Sequence, residues 1–253
     1  MAKIVAVFNQ KGGVGKTTTA VNLTAAIGAK GKKVLLVDAD PQGNSTSGLG
    51  VNKRNVEKST YEVIVESLPA AEAVLGTPFK NVSLLPANMN LAGADLELSS
   101  VSRREKQLKV ALSVIQDGYD FIFIDCPPSL GLIAINALVA ADTVLVPIQC
   151  EYYALEGLSQ LVTTIRQTKM HSNEHLEIEG IVYTMYDTRL KLNQQVVEEV
   201  DKFFPKKAYK TMIPRNVRLS EAPSYGQPVL YYDKFSKGSK AYKKLADEFL
   251  KRS

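Results

Sequence analysis

The sequence has few of the features expected of a secreted or membrane-spanning protein. It contains only two cysteines, Cys126 and Cys150, and each ends an apolar run typical of a strand. Buried reduced thiols in a cytosolic protein explain this pattern better than a disulfide. No apolar run approaches the roughly 18 residues that cross a bilayer, and no secretory cleavage pattern is present. We therefore expect a cytoplasmic protein.

The composition is otherwise ordinary for a globular protein of 253 residues, with 45% hydrophobic and 23% charged residues. There is no proline- or serine-rich linker, internal repeat or low-complexity tract, and the histidines, His171 and His175, lie in a polar connection and receive no role. The simplest interpretation is one domain over residues 1–253.

Charge is spread unevenly along the chain, although the net value is only +5. Residues 187–253 contain 15 Lys and Arg against 8 Asp and Glu, whereas residues 1–186 contain 16 against 18. A basic last quarter on a nearly neutral body indicates a polyanionic partner, either nucleic acid or anionic lipid. A merely solvated basic face is the alternative.

Apolar runs alternate with stretches compatible with helices. Several runs, such as 121–124 and 144–146, are continuous, which indicates burial on both faces in a parallel sheet. We predict an α/β fold: a single doubly wound, mostly parallel sheet flanked by helices. The predicted strands are 3–8, 33–37, 82–85, 120–124, 143–148, 178–184 and 211–213. The predicted helices are about 16–29, 91–117, 129–140, 155–170, 192–204 and 238–251.

The sequence predicts which face of two helices packs against the core, and it predicts where the first helix ends. Gly31 should end the first helix as a C-cap glycine. In the helix at 192–204, one apolar stripe should face the core, with Glu198, Glu199 and Lys202 facing away; the stripe is Leu192, Val196, Val200 and Phe203–Phe204. The helix at 238–251 is amphipathic and basic, but Asp247 and Glu248 interrupt its cationic face, which favours packing on the sheet over membrane binding.

The glycine-rich loop at residues 11–18 reads KGGVGKTT and lies between the first predicted strand and the first predicted helix. Its three glycines allow successive backbone N–H groups to converge on phosphate oxygens at a helix N-terminus. Lys16 is placed to reach the β- and γ-phosphates, and the Thr17 hydroxyl to ligate Mg²⁺. The loop therefore predicts a nucleotide site.

The same loop departs from the common G-x-x-x-x-G-K-[ST] pattern. Gln10 stands where that pattern has glycine, and a second cation, Lys11, precedes the glycine pair. A strand–helix turn does not need this second lysine, so its presence indicates a functional role.

Carboxylates follow two other predicted strands. Asp38 and Asp40 lie at i and i+2 after the second run, and Asp125 ends the fourth. Carboxylates at these strand ends can bind Mg²⁺ directly or through water. Asp125 is followed by Cys126 rather than Glu, so the usual general base of fast ATPases is missing. Asp40 is then the best candidate to orient the attacking water, and we expect slow turnover.

The motifs KGGVGKTT, VDADPQGN, IDCPPSLG, PIQCEYYALEGL and PRNVRLSEAPSYG together resemble the ParA/MinD family of deviant Walker ATPases. Within that family the chain is most similar to the short chromosomal, Soj-like ParA proteins, over about residues 3–250. The resemblance implies ATP and Mg²⁺ as cofactors and a homodimer that sandwiches two ATP molecules. It also implies a ParB-type partner, non-specific binding to double-stranded DNA and association with the nucleoid, with a replication initiator as a further candidate partner.

The resemblance also implies roles for individual residues. Lys11 would cross to the partner protomer's nucleotide, and the predicted catalytic residues are Lys11, Lys16 and Asp40. The metal-binding residues would be Thr17, Asp38 and Asp125. The predicted ATP-binding residues are Lys11, Gly12, Gly13, Val14, Gly15, Lys16, Thr17, Thr18, Pro214 and Asn216, the last two beside adenine.

The basic last quarter supplies the candidates for DNA contact. Arg189 and Arg218 are the principal ones, because each lies near a loop that the nucleotide could influence. Contacts from such side chains to phosphates would give salt-sensitive, sequence-independent binding. A surface salt bridge is the alternative role for each arginine. The weaker candidates are Lys191, Lys210, Arg215 and Lys237.

Two other functions are alternatives for this sequence. A MinD-like membrane-cycling ATPase should have a clear C-terminal membrane-targeting helix, which this sequence lacks. An iron–sulfur reductase of the nitrogenase iron-protein type needs two cluster cysteines per protomer, and the positions of Cys126 and Cys150 do not match them. The longer plasmid-type relatives have an N-terminal helix-turn-helix, for which there is no room before Lys3.

Overall fold

A mostly parallel sheet of seven strands forms the centre of the described part of the protein. The computed structural model describes residues 1–152 and 154–253, so Tyr153 of the PIQCEYYALEGL motif lies outside it. The strands are β1 (Lys3–Val7), β2 (Val34–Asp38), β3 (Leu75–Gly76), β4 (Val82–Leu85), β5 (Phe121–Asp125), β6 (Thr143–Gln149) and β7 (Glu177–Thr184).

The strand order is β3-β4-β2-β5-β1-β6-β7, with only the short edge strand β3 antiparallel among the described pairs. Strand β1 is central and pairs with β5 on one side and β6 on the other. The sequence order of the strands reverses around β1, so a crevice opens at its carboxyl end. The glycine-rich loop begins at this crevice. The predicted fold class is confirmed.

The helices cover both faces of the sheet. In the described residues they are α1 (Lys16–Ala29), α2 (Asn44–Gly48), α3 (Thr60–Ile64), α4 (Ala70–Ala73), α5 (Ala94–Glu97), α6 (Gln107–Ser113), α7 (Leu132–Ala140), α8 (Ala154–His171), α9 (Lys191–Phe203), α10 (Val217–Glu221), α11 (Val229–Tyr232) and α12 (Lys237–Arg252). Gly31 follows α1 with a φ of 95°, as expected for a glycine in the left-handed conformation beyond a helix end.

Alternate residues of each central strand enter opposite halves of the core. In β1, Ile4 and Ala6 belong to the cluster that packs against α7 and α8, whereas Val5 and Val7 belong to the cluster against α1 and α12. All four side chains are buried. This double burial explains why the strand reads as a continuous apolar run.

The C-terminal helix α12 packs on the sheet, as the sequence predicted. Phe249 is buried with its ring 5.3 Å from that of Phe121 and 5.4 Å from that of Phe123. The Tyr242 hydroxyl lies 3.1 Å from that of Thr19 on α1. The apolar face of α12 is therefore occupied inside the core. Among the described residues, none of the helices has the length and apolar character needed to cross a bilayer.

The predicted helix at 91–117 is wrong, because this region consists of short α and 3₁₀ turns. Arg103 adopts a φ of 52°, which an α-helix cannot accommodate. The buried side chain of Asn136 on α7 also accepts a hydrogen bond from the Leu108 backbone N–H and donates one to the Arg104 carbonyl. A side chain from another helix thus takes backbone groups that a continuous helix would pair internally.

The predicted strand at 211–213 is also wrong, although this segment runs beside β7. Isolated bridges join Ile181 to Ala208 and Tyr186 to Pro214. Between them, the N–H groups of Lys210 and Thr211 donate to the Glu248 carboxylate on α12. The Glu248 carboxylate therefore interrupts the ladder to β7, to which the N–H groups of Tyr209 and Ile213 donate on either side.

The predicted apolar stripe of α9 is only partly correct. Val196 and Val200 are buried, but Leu192 and Phe203 are exposed. Asn193 is buried at the start of the helix instead. Its side chain bonds backbone groups outside α9, an arrangement that apolar periodicity could not indicate.

Candidate functional site

The glycine-rich loop follows β1 and leads directly into α1. Gly13 and Gly15 have φ values of 74° and 85°, a region that side chains with a Cβ rarely adopt. A Cβ added at Gly13 would meet no other atom within 4 Å, so the backbone is open on that side. The loop therefore presents accessible backbone N–H groups at the start of a helix, the geometry that binds phosphate.

Polar side chains fix the loop to its neighbours. The buried Asn9 side chain donates to the Pro147 carbonyl at 2.8 Å, and Thr184 at the end of β7 donates to the Val14 carbonyl at 2.8 Å. Gln10, which replaces the usual glycine, donates to Thr164 on α8 at 3.0 Å. The departure from the common pattern thus supplies a tether to α8.

The two lysines of the loop have different environments. Lys16 is buried and its Nζ donates to the Lys11 carbonyl at 2.9 Å. Burial lowers the pKa of Lys16, and the nearby Asp125 carboxylate partly offsets this effect. The Lys11 ammonium instead forms a salt bridge of 2.7 Å with Glu151, outside the loop, and its side chain is 37% exposed.

Asp38 and Asp125 are neighbours at the carboxyl ends of β2 and β5 and are both fully buried. The Asp38 carboxylate accepts hydrogen bonds of 2.7 Å from the N–H and hydroxyl of Thr46, and Asp125 accepts one of 2.7 Å from the Ser45 hydroxyl. Burial raises the pKa of both carboxyls, and the Asp38 charge raises that of Asp125 further. A cation bound beside the two carboxyl groups would favour their ionised form.

The donor set fits Mg²⁺. Oδ1 of Asp125 is buried and has no hydrogen-bond partner among the described residues, which is costly for a carboxylate unless a cation satisfies it. The Thr17 hydroxyl lies close enough to Asp125 to lower its pKa. Hydroxyl and carboxylate oxygens are the ligands that Mg²⁺ prefers.

Asp40 lies two residues beyond the end of β2, beside this pair. Its N–H donates to Asp38 Oδ1 at 3.2 Å, and its own Oδ1 accepts from the Gln42 N–H at 2.9 Å. It is half-buried, and its charge acts on both Lys16 and Asp125. A carboxylate fixed at the edge of the loop in this way can orient a water molecule.

A cavity of about 460 Å³ adjoins the loop on the side of α10. Pro214 and Asn216 line it together with Gly13, Gly15 and Thr18. The structure therefore brings the two predicted adenine-side residues, which are about 200 positions away in sequence, next to the phosphate-binding loop. A larger depression of about 1280 Å³ at the opposite end of β7 contains none of the residues predicted to bind ATP or the metal, and Lys210 is the one DNA-contact candidate in its described lining.

A basic groove of about 890 Å³ lies next to the turn that follows β7. We use this name for the depression between the turn at 186–189, the segment 210–215 and α12. Arg189 lines it, as do three of the weaker candidates, and Asp187 is the one acidic residue among its described lining. Its cationic side chains are Arg189, Lys210, Arg215, Lys237, Lys240 and Lys244.

The two predicted DNA-contacting arginines both form salt bridges. Arg189 bonds Asp187 through Nε and Nη2, at 2.9 and 2.6 Å, and its side chain is 86% exposed. This pairing holds the pKa of Asp187 at about 2. Arg218 pairs with Glu221 at 2.7 Å and Asp233 at 3.3 Å, and it does not line the basic groove.

Sequence reasoning missed five residues that the structure places at these sites. Ser45, Thr46 and Glu151 bond the predicted residues directly, and Lys240 and Lys244 line the basic groove. Ser45 and Thr46 directly follow the VDADPQGN motif, so the sequence could have indicated that their hydroxyls donate hydrogen bonds to nearby carboxylates. Nothing in the sequence indicated which α12 lysines face the groove.

Comparisons with known proteins show which proteins this chain is similar to. A family model described as an AAA domain matches residues 2–178. The sporulation initiation inhibitor protein Soj of Bacillus subtilis is 55% identical over 98% of both chains. The chromosome-partitioning ATPase Soj of Thermus thermophilus is 46% identical over 98% of this chain and 95% of that one.

Among solved structures, one neighbour is a cobyrinic acid a,c-diamide synthase of Mycobacterium smegmatis with a bound ATP analogue and magnesium. It is 37% identical, with a TM-score of 0.86 over 99% of this chain and 95% of that one. Its named activity differs from that of the Soj proteins although the fold is shared, so the fold alone does not identify the reaction.

Proposed function

The chain belongs to the Soj/ParA family of chromosome-partitioning ATPases, and we propose that ATP joins two copies of it into a dimer that binds DNA without sequence preference. Hydrolysis of ATP to ADP and phosphate then separates the copies. The observation that carries this proposal is the arrangement of the two loop lysines, of which only Lys16 is buried in its own loop.

ATP and Mg²⁺ are the cofactors, and the bound metal supplies positive charge that offsets the negative charge of the phosphate oxygens. Lys16 binds the β- and γ-phosphates, and the N–H groups of the loop bind phosphate oxygens. Thr17, Asp38 and Asp125 hold the metal, directly or through water. The adenine lies beside Pro214 and Asn216. The open backbone at Gly13 and the unpaired Oδ1 of Asp125 support this assignment.

Lys11 binds the nucleotide of the partner protomer. Its ammonium lies on the exposed side of the loop, where one salt bridge with Glu151 retains it. Exposed ion pairs contribute only about 0 to 1 kcal/mol, so phosphate can displace Glu151 readily. Because the Lys11 ammonium binds a nucleotide held by the other protomer, the dimer depends on ATP.

Asp40 orients the attacking water, and the turnover is slow. Cys126 occupies the position after Asp125 where fast ATPases commonly have a glutamate, and burial raises the pKa of its thiol well above the ordinary value. A neutral thiol does not act as a base at neutral pH. A ParB-type partner would then accelerate hydrolysis and set the lifetime of the dimer.

The basic groove provides the DNA-binding surface, with Arg189 as its principal residue and Arg218 as a contact beyond its rim. Two protomers double the cationic surface, so a groove that is weak alone binds DNA once the dimer forms. The protein would associate with the nucleoid, and a replication initiator is a further candidate partner.

The test is retention of a fluorescent duplex by the purified protein with ATP, ADP or no nucleotide, beside anionic liposomes. We expect retention with ATP only, the same for unrelated duplex sequences and steeply weaker at higher salt. Binding to liposomes instead of duplex would favour the membrane-cycling function, against which the buried apolar face of α12 argues.

The hydrolytic role of Asp40 has a separate test. Asp40→Ala should bind ATP with wild-type affinity yet remain dimeric, because hydrolysis no longer ends the ATP-bound state. Size-exclusion chromatography with ATP measures this directly. A variant that returns to monomer as fast as the wild type would remove Asp40 from the mechanism.

A further inference from the structure

A buried asparagine connects the environment of Lys11 to the turn that presents Arg189. Asn193, at the start of α9, is only 5% exposed. Its Nδ2 donates to the Cys150 carbonyl at 2.7 Å, and its Oδ1 accepts from the Asp187 N–H at 2.8 Å. One side chain therefore joins the end of β6 to the turn after β7.

Each hydrogen bond of Asn193 leads to a residue that contacts a side chain with a role in the proposed function. Cys150 directly precedes Glu151, whose carboxylate holds the Lys11 ammonium at 2.7 Å. Asp187 holds Arg189 through two hydrogen bonds to its guanidinium and a third to its N–H. Hydrogen bonds and the covalent link between Cys150 and Glu151 therefore form a continuous connection from the phosphate-binding loop to the basic groove.

Few contacts fix this turn among the described residues. It follows Met185, which has a φ of 49°, an isolated bridge joins Tyr186 to Pro214, and the exposed Gln194 side chain on α9 donates to the Thr188 carbonyl at 3.2 Å. Asn193 is the buried side chain that bonds this turn to the sheet. A small displacement of residues 150–151 would therefore move the turn through Asn193.

We propose that Asn193 is a positioning residue that makes the presentation of Arg189 to DNA depend on whether Lys11 is bound to Glu151. The inference rests on the proposed DNA binding. When phosphate takes Lys11 from Glu151, residues 150–151 lose that restraint, and the Asp187–Arg189 turn follows through the two hydrogen bonds of Asn193. Asn193 itself touches neither nucleotide nor DNA.

The variant Asn193→Ala removes both hydrogen bonds, and Asn173→Ala is its matched control. Asn173 is also buried and donates two hydrogen bonds to carbonyls, those of Leu138 and Ala141, but it lies at the other end of the sheet. Both substitutions should lower thermal stability, so loss of folding free energy alone cannot separate them. Their effects on DNA binding should differ.

We expect Asn193→Ala to weaken ATP-dependent duplex binding by about 5- to 10-fold, in the range of ordinary coupling between sites. Its affinity for ATP should stay at the wild-type value. Asn173→Ala should change duplex affinity by less than about twofold. Equal losses in the two variants, or a loss of ATP affinity in Asn193→Ala, would reduce Asn193 to a structural residue and overturn the proposal.

Two double substitutions test the route. In an Arg189→Ala background, Asn193→Ala should have no further effect on duplex affinity, because it acts through Arg189. The effects of Glu151→Gln and Asn193→Ala should be non-additive for the same reason. Additive effects in either pair would contradict the proposal. A milder Asn193→Ser replaces the alanine variant if that one does not fold.

Wild-type protein measured in the same assay separates this inference from the proposed function. If the wild type retains no duplex with ATP, the DNA-binding function itself is wrong and the inference falls with it. If the wild type binds and Asn193→Ala binds as tightly as Asn173→Ala, only the inference is wrong.

Discussion

The charged pocket at the glycine-rich loop and the basic groove are built on opposite physical principles. We use the name charged pocket, shortened to pocket, for the buried cluster of Lys16, Asp38 and Asp125. In the pocket, Lys16, Asp38 and Asp125 are buried and act on one another's charge. In the groove, the cations lie on a rim open to water, and Arg189 is 86% exposed. Buried charges interact strongly, so the loss of one disrupts the binding contributed by the others. Exposed charges each contribute a small, nearly independent amount of binding free energy. The contrast predicts an all-or-none response in the pocket and a graded one in the groove.

The largest effect should come from the pocket lysine. Lys16→Ala should weaken ATP binding by roughly 100-fold or more, because it removes a charge-assisted contact in a low-dielectric site. Titration with a fluorescent ATP analogue measures the loss. Lys11→Ala is the matched control and should leave monomer affinity nearly unchanged; equal losses would erase the distinction between the two lysines.

The next largest effect should be on stability. Asp125→Asn should raise the free energy of unfolding of the nucleotide-free protein by about 1 to 3 kcal/mol, because a buried carboxylate of raised pKa destabilises the fold when ionised. It should also abolish the effect of Mg²⁺ on nucleotide binding. Urea unfolding with and without Mg²⁺ and ATP measures both.

The raised pKa of Asp125 also predicts how the stability of the fold changes with pH. Because the pKa of Asp125 is raised in the fold, the native protein retains this proton at pH values where the unfolded chain has lost it. Stability should therefore fall as pH rises from about 4, the ordinary carboxyl pKa, to about 7, the pKa of Asp125 in the fold. Asp125→Asn should reduce that slope to the part contributed by the raised pKa of Asp38, and an unchanged slope would show that Asp125 is not a source of it.

In the groove, substitutions should act gradually. The double variant Lys240→Ala with Lys244→Ala should weaken duplex binding roughly tenfold, and the slope of log affinity against log salt should fall by about 1 for each lysine. Lys243, on the same helix but absent from the groove lining, gives the control variant Lys243→Ala. A loss as large from the control would mean that general charge, not the groove, binds DNA.

The smallest effect should come from Arg218. Its two acidic partners, Glu221 and Asp233, already offset its charge, and it lies outside the groove lining. Arg218→Ala should weaken duplex binding by about twofold, less than Arg189→Ala. Filter retention at several salt concentrations compares them. If Arg218→Ala has the greater effect, the DNA path follows α10 rather than the groove.

The features predicted best were those encoded by neighbouring residues. The loop at 11–18, the helix that follows it and the carboxylate ending β5 all depend on local pattern, and each was located correctly. The region at 91–117, predicted as one helix, consists instead of short α and 3₁₀ turns. The Asn136 side chain, which bonds backbone groups that a continuous helix would pair internally, comes from another part of the chain.

The same limit applied to the segment 211–213 and to the groove. Glu248 takes the N–H groups of Lys210 and Thr211, and only the packing of α12 brings it there. That packing also decides that Lys240 and Lys244 line the groove whereas Lys243 does not. An amphipathic pattern identifies the buried face of a helix, but it cannot say which other segment the exposed face will meet.

By itself, the sequence determined the kind of site: a phosphate-binding loop with two lysines, carboxylates after strands and a basic last quarter. Backbone conformation and residue type are local properties, and residues 11–18 specify them directly. The tertiary structure decided the partners: Glu151 for Lys11, Ser45 and Thr46 for the buried carboxylates, and Asn193 between Cys150 and Asp187. The contacts of Lys11, Asp125 and Cys150 join residues far apart in sequence, and only the pairing of the strands brings those residues within hydrogen-bonding distance.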